Sequence, residues 1–255
     1  MLKKLYKNIV PEKMRVQLRS ALQKSVYPFY LGNNVYCNCC NKSFRKFRSY
    51  GNVKRDNAKC PYCFSFERTR VLDLFLQNEL DIYSKKDLKI LHFAPEPALF
   101  KKFSKLDIEY IDGDINPANA RFIIDITNIP YQENYFDLII CNHVLGHIPD
   151  EQKALSELFR VLKPDGVAIV MSLMNLNSEI TLERADIVTP ADRLKYYGEH
   201  DLSRLYGMDH KNRLESGGFK VDMIDYRKKL SNLIVEKNCL GNGEREMIFK
   251  CEKSF

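Results

Sequence analysis

The chain has 255 residues, 45% of them hydrophobic, which is enough for the core of one α/β domain and a small accessory domain. No run reaches the ~18 to 20 consecutive apolar residues of a transmembrane helix, and the N-terminus has neither the apolar core nor the cleavage site of a signal peptide. We therefore expect a cytoplasmic protein without a transmembrane segment, in which paired cysteines serve metal or redox chemistry and not disulfides.

The first 72 residues are strongly basic. They contain 16 lysine and arginine residues against 3 acidic ones, whereas the rest of the chain contains 24 against 30. Residues 1–34 form a predicted helical segment in which basic residues are interspersed with Leu2, Leu5, Ile9 and Leu18. This pattern predicts contact with nucleic acid, a lipid surface or a phosphorylated substrate, unless the basic residues form only a solvated face.

Two C-x2-C pairs follow, in a predicted zinc ribbon of residues 35–66. The 19 residues between the pairs lie within the ~15 to 20 expected for a four-cysteine zinc site. Each tight turn directs two thiolates at one ion, and four thiolates leave no open coordination position, so the predicted Zn²⁺ is structural. The second pair alone resembles a redox motif, but such a motif opens a helix after a strand. The predicted ligands are Cys37, Cys40, Cys60 and Cys63, with Cys39 as a bystander.

Residues 67–255 form the predicted main domain. Short apolar runs alternate with helical patterns, which predicts a parallel, doubly wound α/β sheet. An insertion is expected around residues 178–214, and two terminal antiparallel strands, 232–237 and 247–253, around a Gly-Asn-Gly turn. The other predicted strands are 88–94, 108–115, 120–126, 135–144 and 167–174, and the predicted helices are 65–80, 97–106 and 150–162.

The carboxyl ends of the first strands indicate the type of ligand, because ligands of such sheets lie there, near the switch point. The turn of residues 92–97 lacks the G-x-G-x-x-G fingerprint, and its two prolines remove N–H groups that a pyrophosphate would use. Asp114 ends the second strand, where an acid accepts hydrogen bonds from a ribose diol. It also fits a turn before a helix capped by Asn116. These features predict a nucleoside ligand without a diphosphate, and S-adenosylmethionine is the common one.

Four stretches between residues 88 and 174 resemble, in this order, a class I S-adenosylmethionine-dependent methyltransferase of the type 11 kind: "ILHFAPEP", "YIDGDINP", "IIDITNIPYQENYFDLIICNHVLGHIPD" and "ELFRVLKPDGVAIV". The cysteine ribbon and residues 196–219 are similar to a bacterial subgroup that is associated with surface polysaccharide assembly. The resemblance implies a Rossmann-like methyltransferase sheet with a small N-terminal zinc ribbon, and S-adenosylmethionine as the cofactor.

The resemblance also implies roles for single residues. The turn after the first strand would pass the methionine part of the cofactor, and Asp114 would bind the ribose hydroxyls. Asp125 would accept a hydrogen bond from the adenine amino group and Ile126 would pack on its face, although an Asx turn explains Asp125 equally well. The predicted cofactor-binding residues are Phe93, Ala94, Glu96, Asp114, Ile115, Asp125, Ile126, Asn142 and His143.

Two positions depart from the family pattern. The glycine-rich first turn is replaced by "FAPEP", which puts the contacts of that turn in question, and the glutamate of the family's "LEH" is Gly146 here. Any role of that glutamate in the cofactor or substrate pocket is therefore absent from this chain.

Candidate catalytic residues follow the fourth strand and lie in the insertion. His147 would face the reaction centre in the family arrangement and accept a proton from an attacking hydroxyl, or it caps the helix near Pro149. Arg204 would bind a phosphate or carboxylate of the substrate, or it belongs to a surface loop with local ion pairs. The predicted catalytic residues are His147, His200 and Asp201, and the predicted substrate-binding residues are Arg204 and Tyr206.

We therefore predict an enzyme that O-methylates a small anionic substrate, a sugar or phosphate-bearing glycan precursor of a surface polysaccharide such as a capsule. Two alternatives stay open. The first is an RNA methyltransferase whose ribbon binds nucleic acid through basic residues and Phe44, Phe47, Tyr50 and Tyr62. The second is a non-catalytic module with a degenerate cofactor domain, whose basic N-terminal segment docks on a membrane or an assembly partner.

Overall fold

The computed structural model of the chain describes residues 14, 15, 18, 21, 22 and 25–253. The predicted basic helix of residues 1–34 lies largely outside these residues. Within the described part of the chain, no helix is long and apolar enough to cross a membrane.

The cysteine-rich ribbon consists of two small antiparallel sheets. Its strands are β1 (Leu31–Cys37), β2 (Lys42–Phe44), β3 (Arg48–Tyr50) and β4 (Arg55–Lys59). The first strand thus begins before the predicted boundary at residue 35. Phe44 and Phe47 are buried in the ribbon's own small core, which also packs against Ala98 of the main domain.

A seven-stranded sheet forms the centre of the main domain. Its strands are β5 (Lys89–Phe93), β6 (Glu109–Asp114), β7 (Phe122–Ile123), β8 (Phe136–Asn142), β9 (Leu162–Met171), β10 (Phe219–Ile224) and β11 (Ile248–Lys253). The spatial order is β10-β11-β9-β8-β5-β6-β7, and β11 runs antiparallel to its neighbours in an otherwise parallel sheet. The strand order reverses between β5 and β8, so the switch point lies at their carboxyl ends. The predicted Rossmann-like, mostly parallel α/β fold is confirmed.

Six α-helices accompany these strands in the described part of the chain. They are α1 (Glu67–Asn78), α2 (Pro97–Phe103), α3 (Glu151–Val161), α4 (Pro190–Tyr197), α5 (His210–Glu215) and α6 (Asn232–Asn238). Helix α3 shows why the sequence forms them: Asp150 accepts a hydrogen bond from the backbone N–H of Lys153 at 3.1 Å, and Leu155, Leu158 and Val161 are buried on one face.

Two predictions of local structure are wrong. Residues 232–237, predicted as a terminal strand, form most of helix α6, and β11 pairs instead with β9 and β10. Residues after Asn116 form a turn and not the predicted helix: the Asn116 side chain accepts from the N–H of Ala118 at 2.9 Å, which closes the turn locally.

The insertion of residues 178–214 lies between β9 and β10 and contains α4. Backbone hydrogen bonds between Leu182 and Leu205 join two of its own segments, and the Ser203 N–H donates to the Gly146 carbonyl at 2.8 Å, which attaches the insertion to the segment after β8. The insertion therefore covers the segment that follows β8, next to the switch point.

Candidate functional site

A cavity of about 510 Å³ opens at the carboxyl ends of β5, β6 and β8. This is the location at which a doubly wound sheet binds its ligand. Six of the nine predicted cofactor-binding residues line it, together with the predicted catalytic residues His147 and Asp201. The six are Phe93, Ala94, Asp114, Ile115, Ile126 and His143.

The turn after β5 brings the backbone close to this cavity. Ala94 has a positive φ of 46°, and its N–H donates to the Gly113 carbonyl at 2.9 Å. This left-handed conformation is one that glycine adopts most readily, so the alanine of "FAPEP" keeps the tight turn of a glycine-rich loop without the glycine. The turn predicted to pass the cofactor's tail is therefore present despite the departure in sequence.

Hydrogen bonds within the turn that follows β6 hold the side chain of Asp114 in place. Its Oδ1 accepts from the Asn116 N–H at 2.7 Å and its Oδ2 accepts from the Asn119 side chain at 3.2 Å. A carboxylate has about four lone-pair directions, so two remain for a ribose diol in the cavity. In this geometry Asp114 can stabilise the turn and, as predicted, also accept hydrogen bonds from a ribose.

Ile126 and Asp125 differ in their surroundings. Ile126 is buried and lines the cavity, whereas Asp125 is exposed, and its Oδ1 accepts from the N–H and the hydroxyl of Thr127, both at 2.8 Å. The Asx turn that was the alternative for Asp125 is thus present, and Asp125 does not line the cavity. Its contact with adenine stays a prediction.

Glu96 lies beneath the cavity in a buried polar network. Its Oε2 is 2.8 Å from Nε2 of His92, and its Oε1 accepts from the Asn142 side-chain amide. Tyr110 lies 3.0 Å from the other ring nitrogen of His92, and burial raises the pKa of this tyrosine. Glu96 therefore fixes the first turn to the end of β8 instead of lining the cavity.

Asn142 retains an unsatisfied atom in this network. Its Oδ1 is buried and has no hydrogen-bond partner within residues 25–253. Such an orphaned acceptor is costly unless a ligand satisfies it. Asn142 does not line the cavity, whereas the carboxylate of Asp114 and the apolar side chains of Ile115 and Ile126 do, and these fit a nucleoside.

A second, smaller cavity of about 110 Å³ adjoins the first, and His143 and His147 line both. His143 is 3.0 Å from the Arg245 carbonyl through Nε2, so this nitrogen is the donor. Burial and the cations Arg68 and Arg245 hold the pKa of His143 well below its usual range. His143 is therefore neutral at pH 7 and a weak base.

His147 and Asp201 are brought together, whereas His200 is not. Nδ1 of His147 is 3.3 Å from the backbone carbonyl of Asp201 and 3.5 Å from its Oδ1, and both residues line the larger cavity. His200 is exposed, contacts the Pro190 carbonyl at 3.2 Å and lines neither cavity. The cap of the following helix is Asp150, so His147 does not serve as that cap. The geometry favours a His147–Asp201 pair over the predicted His200–Asp201 pair.

Arg204 is buried, and all five of its N–H groups are taken by the protein. The guanidinium donates twice to Oε1 of Glu183, at 2.9 Å and 2.7 Å, and to the carbonyls of Leu145, Ile148 and Pro149. No donor is left for a substrate in this arrangement. The prediction that Arg204 binds substrate gains no support from the structure, and the alternative of local ion pairs describes what is observed.

Tyr206 is also buried, but it lines the smaller cavity. Its hydroxyl donates to the Glu151 carboxylate, and its ring stacks on His210 with the centroids 3.6 Å apart. Arg213 binds the same carboxylate through Nε at 2.7 Å. Tyr206 therefore presents its ring, and not its hydroxyl, to the cavity.

The four predicted zinc ligands converge in the ribbon. The sulfur atoms of Cys37, Cys40, Cys60 and Cys63 all lie within 4.8 Å of one another. Two of the pairs are 3.5 Å and 3.9 Å apart, close to the roughly 3.8 Å between sulfurs around a tetrahedral zinc with Zn–S bonds of about 2.3 Å. Cys39 lies outside the cluster and contacts the Thr69 carbonyl. The four-cysteine cluster is compatible with zinc.

Sequence reasoning missed three residues of the smaller cavity: Arg68, Glu199 and Arg245. The sequence pattern around Arg68 predicts only a helix, and the pattern around Arg245 predicts only a hairpin turn. No spacing or motif links these positions, because the fold alone brings them together.

Comparisons with known proteins agree with this geometry. Residues 102–170 match the model of a methyltransferase domain. This match confirms the predicted methyltransferase domain. It extends from the end of α2 to β9 and includes Asp114, Ile126 and His143 of the larger cavity, but not β5 and its turn.

Two curated relatives are methyltransferases. A Campylobacter jejuni protein named ubiquinone/menaquinone biosynthesis C-methyltransferase UbiE is 32% identical over 114 residues, covering 37% of this chain and 48% of the relative. A Lactobacillus johnsonii demethylmenaquinone methyltransferase is 30% identical over 131 residues, covering 47% of this chain and 49% of the relative. The chain thus spans about half the length of the curated relatives it matches.

A solved structure is similar over nearly the whole chain. The [4+2]-cyclase SpnF superposes with a TM-score of 0.51 at 14% sequence identity, covering 96% of this chain and 97% of the cyclase. At this identity the likeness shows the fold alone.

Proposed function

We propose that the whole chain is an S-adenosylmethionine-dependent methyltransferase that acts on a small anionic acceptor. The observation that carries the proposal is the cavity at the carboxyl ends of β5, β6 and β8, with the Asp114 carboxylate and the apolar side chains of Ile115 and Ile126 in its wall. The adjoining smaller cavity, lined by two arginines and two histidines, is where an acceptor would lie.

The chain's own residues would hold the cofactor in a definite orientation. Asp114 would accept from the ribose hydroxyls, Ile126 would pack against the adenine, and the turn at Phe93 and Ala94 would pass the methionine tail. The bound cofactor supplies an activated methyl group, so the protein has mainly to align the acceptor and exclude water.

The acceptor atom is proposed to be a hydroxyl oxygen. His147 lies between the two cavities, and Asp201 next to it would orient its imidazole. As the oxygen–methyl bond forms and the methyl–sulfur bond breaks, the hydroxyl proton would pass to His147. The two curated relatives are named a C-methyltransferase and a demethylmenaquinone methyltransferase, and these names do not indicate a hydroxyl acceptor.

The acceptor is proposed to be a sugar or phosphate-bearing precursor of a surface polysaccharide, acted on in the cytoplasm. The link to a polysaccharide rests on the resemblance of the ribbon and of residues 196–219 to the bacterial subgroup. The anionic character is supported by Arg68 and Arg245 in the smaller cavity.

The ribbon is proposed to bind a structural Zn²⁺ through its four-cysteine cluster. The ribbon core is small, and a small metal-binding domain typically gains part of its folding free energy from the metal. Thiolate ligands without an open position give the metal no part in methyl transfer.

The RNA alternative loses two of its four stacking residues. Phe44 and Phe47 are buried in the ribbon core, at 0% and 2% exposure, and cannot stack on bases. Tyr62 packs edge-to-face on Tyr27 at 4.9 Å. This arrangement favours a small acceptor over a single-stranded RNA.

Calorimetric titration with S-adenosylmethionine and S-adenosylhomocysteine tests the proposal. We expect micromolar binding, and a loss of about 10- to 100-fold in Asp114→Ala and Asp114→Asn, since charge-assisted hydrogen bonds contribute about 1.5–3 kcal/mol. The asparagine variant retains an acceptor for the N–H of Asn116 and so preserves the turn. Asp165→Ala, at an exposed position, is the matched control. No binding by the folded protein, or equal binding by the Asp114 variants, would refute the cofactor site.

A further inference from the structure

A third cavity, of about 680 Å³, lies between the ribbon and the main domain. The hairpin β3–β4 forms one wall through Tyr50, Lys54 and Arg55, and the main domain supplies Arg68 and Arg245. We call this space the ribbon cleft; its other lining residues are Ser49, Gly51, Asn52, Phe66 and Glu199.

The ribbon cleft adjoins the candidate active site. It shares Arg68, Glu199 and Arg245 with the 110 Å³ cavity, which in turn shares His143 and His147 with the proposed cofactor cavity. The two arginines therefore lie between the cleft and the part of the site that contains His147.

Arg68 lacks the partners that a buried cation needs. It lies in the first turn of α1, and its Nε is buried without a hydrogen-bond partner within residues 25–253. No carboxylate of the described residues forms an ion pair with it; its guanidinium lies 4.8 Å from the centroid of the Phe66 ring. Burial lowers the pKa of Arg68 and the nearby cation Arg245 adds to this lowering, whereas the carboxylates of Glu96, Glu67 and Glu199 oppose it. A bound anion would supply the missing partner.

Other charges of the ribbon cleft add to this preference. Arg245 pairs with Glu199 at 2.9 Å, and Arg55 pairs with Glu67 at 3.0 Å. Lys54 is exposed on the ribbon side. With Arg68 included, the cations outnumber the carboxylates, so the cleft attracts oxyanions.

We propose that the ribbon cleft is the acceptor site of this enzyme, in which Arg68 and Arg245 bind the phosphate group of a phosphorylated sugar and the β3–β4 hairpin forms the outer wall. The inference rests on the proposed methyltransferase function and adds the acceptor subsite and a role for the ribbon. Arginine suits it because its planar, forked donors match a phosphate.

Titration of the full-length protein with inorganic phosphate and with glucose 1-phosphate, followed by phosphorus NMR at saturating S-adenosylhomocysteine, tests the inference. We expect Arg68→Gln and Arg245→Gln each to weaken phosphate binding by at least about tenfold, the loss of one charge-assisted contact. Lys54→Gln, at an exposed position, should weaken it severalfold and covers the case in which Arg68→Gln does not fold.

Arg184→Gln is the matched control, because Arg184 pairs with Asp186 as Arg245 pairs with Glu199, yet it lines none of these cavities. Its phosphate affinity should equal that of the unmodified protein, and all variants should retain their affinity for S-adenosylhomocysteine.

Equal phosphate binding in the unmodified protein and in the folded variants would overturn the inference, as would an equal loss in Arg184→Gln. A protein that binds phosphate at these residues but not S-adenosylhomocysteine would refute the proposed function and leave the anion subsite standing.

Discussion

Gly146 shows at the scale of one residue why this chain departs from its family pattern. A side chain at this position would place its Cβ 2.8 Å from Cδ2 of Leu202 and 3.7 Å from the Tyr206 ring. The insertion packs directly on the glycine, and its Ser203 N–H bonds to the Gly146 carbonyl. Glycine at this position permits the close packing of the insertion, in which Asp201 lies near His147.

His210 predicts a pH dependence of stability. Burial, followed by the cations Arg213 and Arg204, lowers the pKa of His210 to about 3. Between about pH 6.5 and 3 the unfolded chain binds a proton at this residue and the folded chain does not, so the free energy of unfolding decreases as the pH falls. His210 should contribute a slope of about 1.4 kcal/mol per pH unit.

Chemical denaturation at several pH values measures this contribution. In His210→Phe, the slope of the free energy of unfolding against pH should decrease by the contribution of one proton. The remaining slope still contains the contribution of His143, whose pKa is also lowered. Ser172→Ala removes the 3.1 Å contact to His210 but retains the imidazole, so its slope should persist. An unchanged slope in His210→Phe would contradict the prediction.

The sequence reveals site residues unequally. Asp114 and the predicted zinc ligands follow from local spacing: Asp114 lines the larger cavity, and the four cysteines cluster. Arg68 and Arg245 have no such pattern, because α1 and the loop before β11 meet only through tertiary packing. The alternatives for Arg204 stayed open for the converse reason, since a sequence cannot show that a guanidinium already donates to Glu183 and to backbone carbonyls.

At the scale of elements, the strands of the parallel sheet were predictable because they are continuous apolar runs, buried on both faces. Helix α6 was not, because a short apolar run fits a helix or a strand equally well. Its cap decides the outcome: the Ser231 hydroxyl accepts from the Ile234 N–H and starts a helix.

Arg70 joins three of these elements. From α1, its guanidinium donates to the carbonyls of Ala58 and Ser65 in the ribbon and to Asn238 and Cys239 at the end of α6, at 2.6 to 3.1 Å. Arg70→Met would remove these hydrogen bonds to buried carbonyls. We expect a loss of about 3–5 kcal/mol in the free energy of unfolding, the usual range when a buried polar network is broken.

Denaturation midpoints and hydrogen exchange of the ribbon amides measure the effect of Arg70→Met. Faster exchange should appear first in β4 and at the start of α1. Arg48→Met, at an exposed ribbon position, is the matched control and should stay within about 0.5 kcal/mol of the unmodified protein. Equal stability of the two variants would show that Arg70 does not tie the ribbon to the main domain.

At the scale of the whole molecule, the two proposed ligands use different parts of the chain. The cofactor cavity is lined by residues 93–148 and Asp201, with no residue of the ribbon among them. The ribbon cleft takes most of its lining from residues 49–66. Loss of metal from the ribbon should therefore weaken the binding of phosphate but not the binding of S-adenosylhomocysteine.

Removal of zinc by a chelator tests this division. Without metal, the four thiols cannot hold the two C-x2-C turns together, and the small ribbon core should lose its structure. We expect the affinity for S-adenosylhomocysteine to be retained within about threefold, a difference of about 0.6 kcal/mol. Phosphate binding should fall to the level of Arg245→Gln, because the wall that carries Lys54 and Arg55 is lost.

Added zinc should restore phosphate binding, which separates metal loss from irreversible damage. Cys60→Ala should reproduce the chelated state, whereas Cys39→Ala, outside the four-sulfur cluster, should retain both the metal and phosphate affinity. Loss of both affinities on chelation would show that the main domain needs the ribbon to fold. Retention of both by a protein whose ribbon amides have lost their protection from hydrogen exchange would exclude the ribbon from the acceptor site, because the cleft cannot keep its outer wall when the hairpin unfolds.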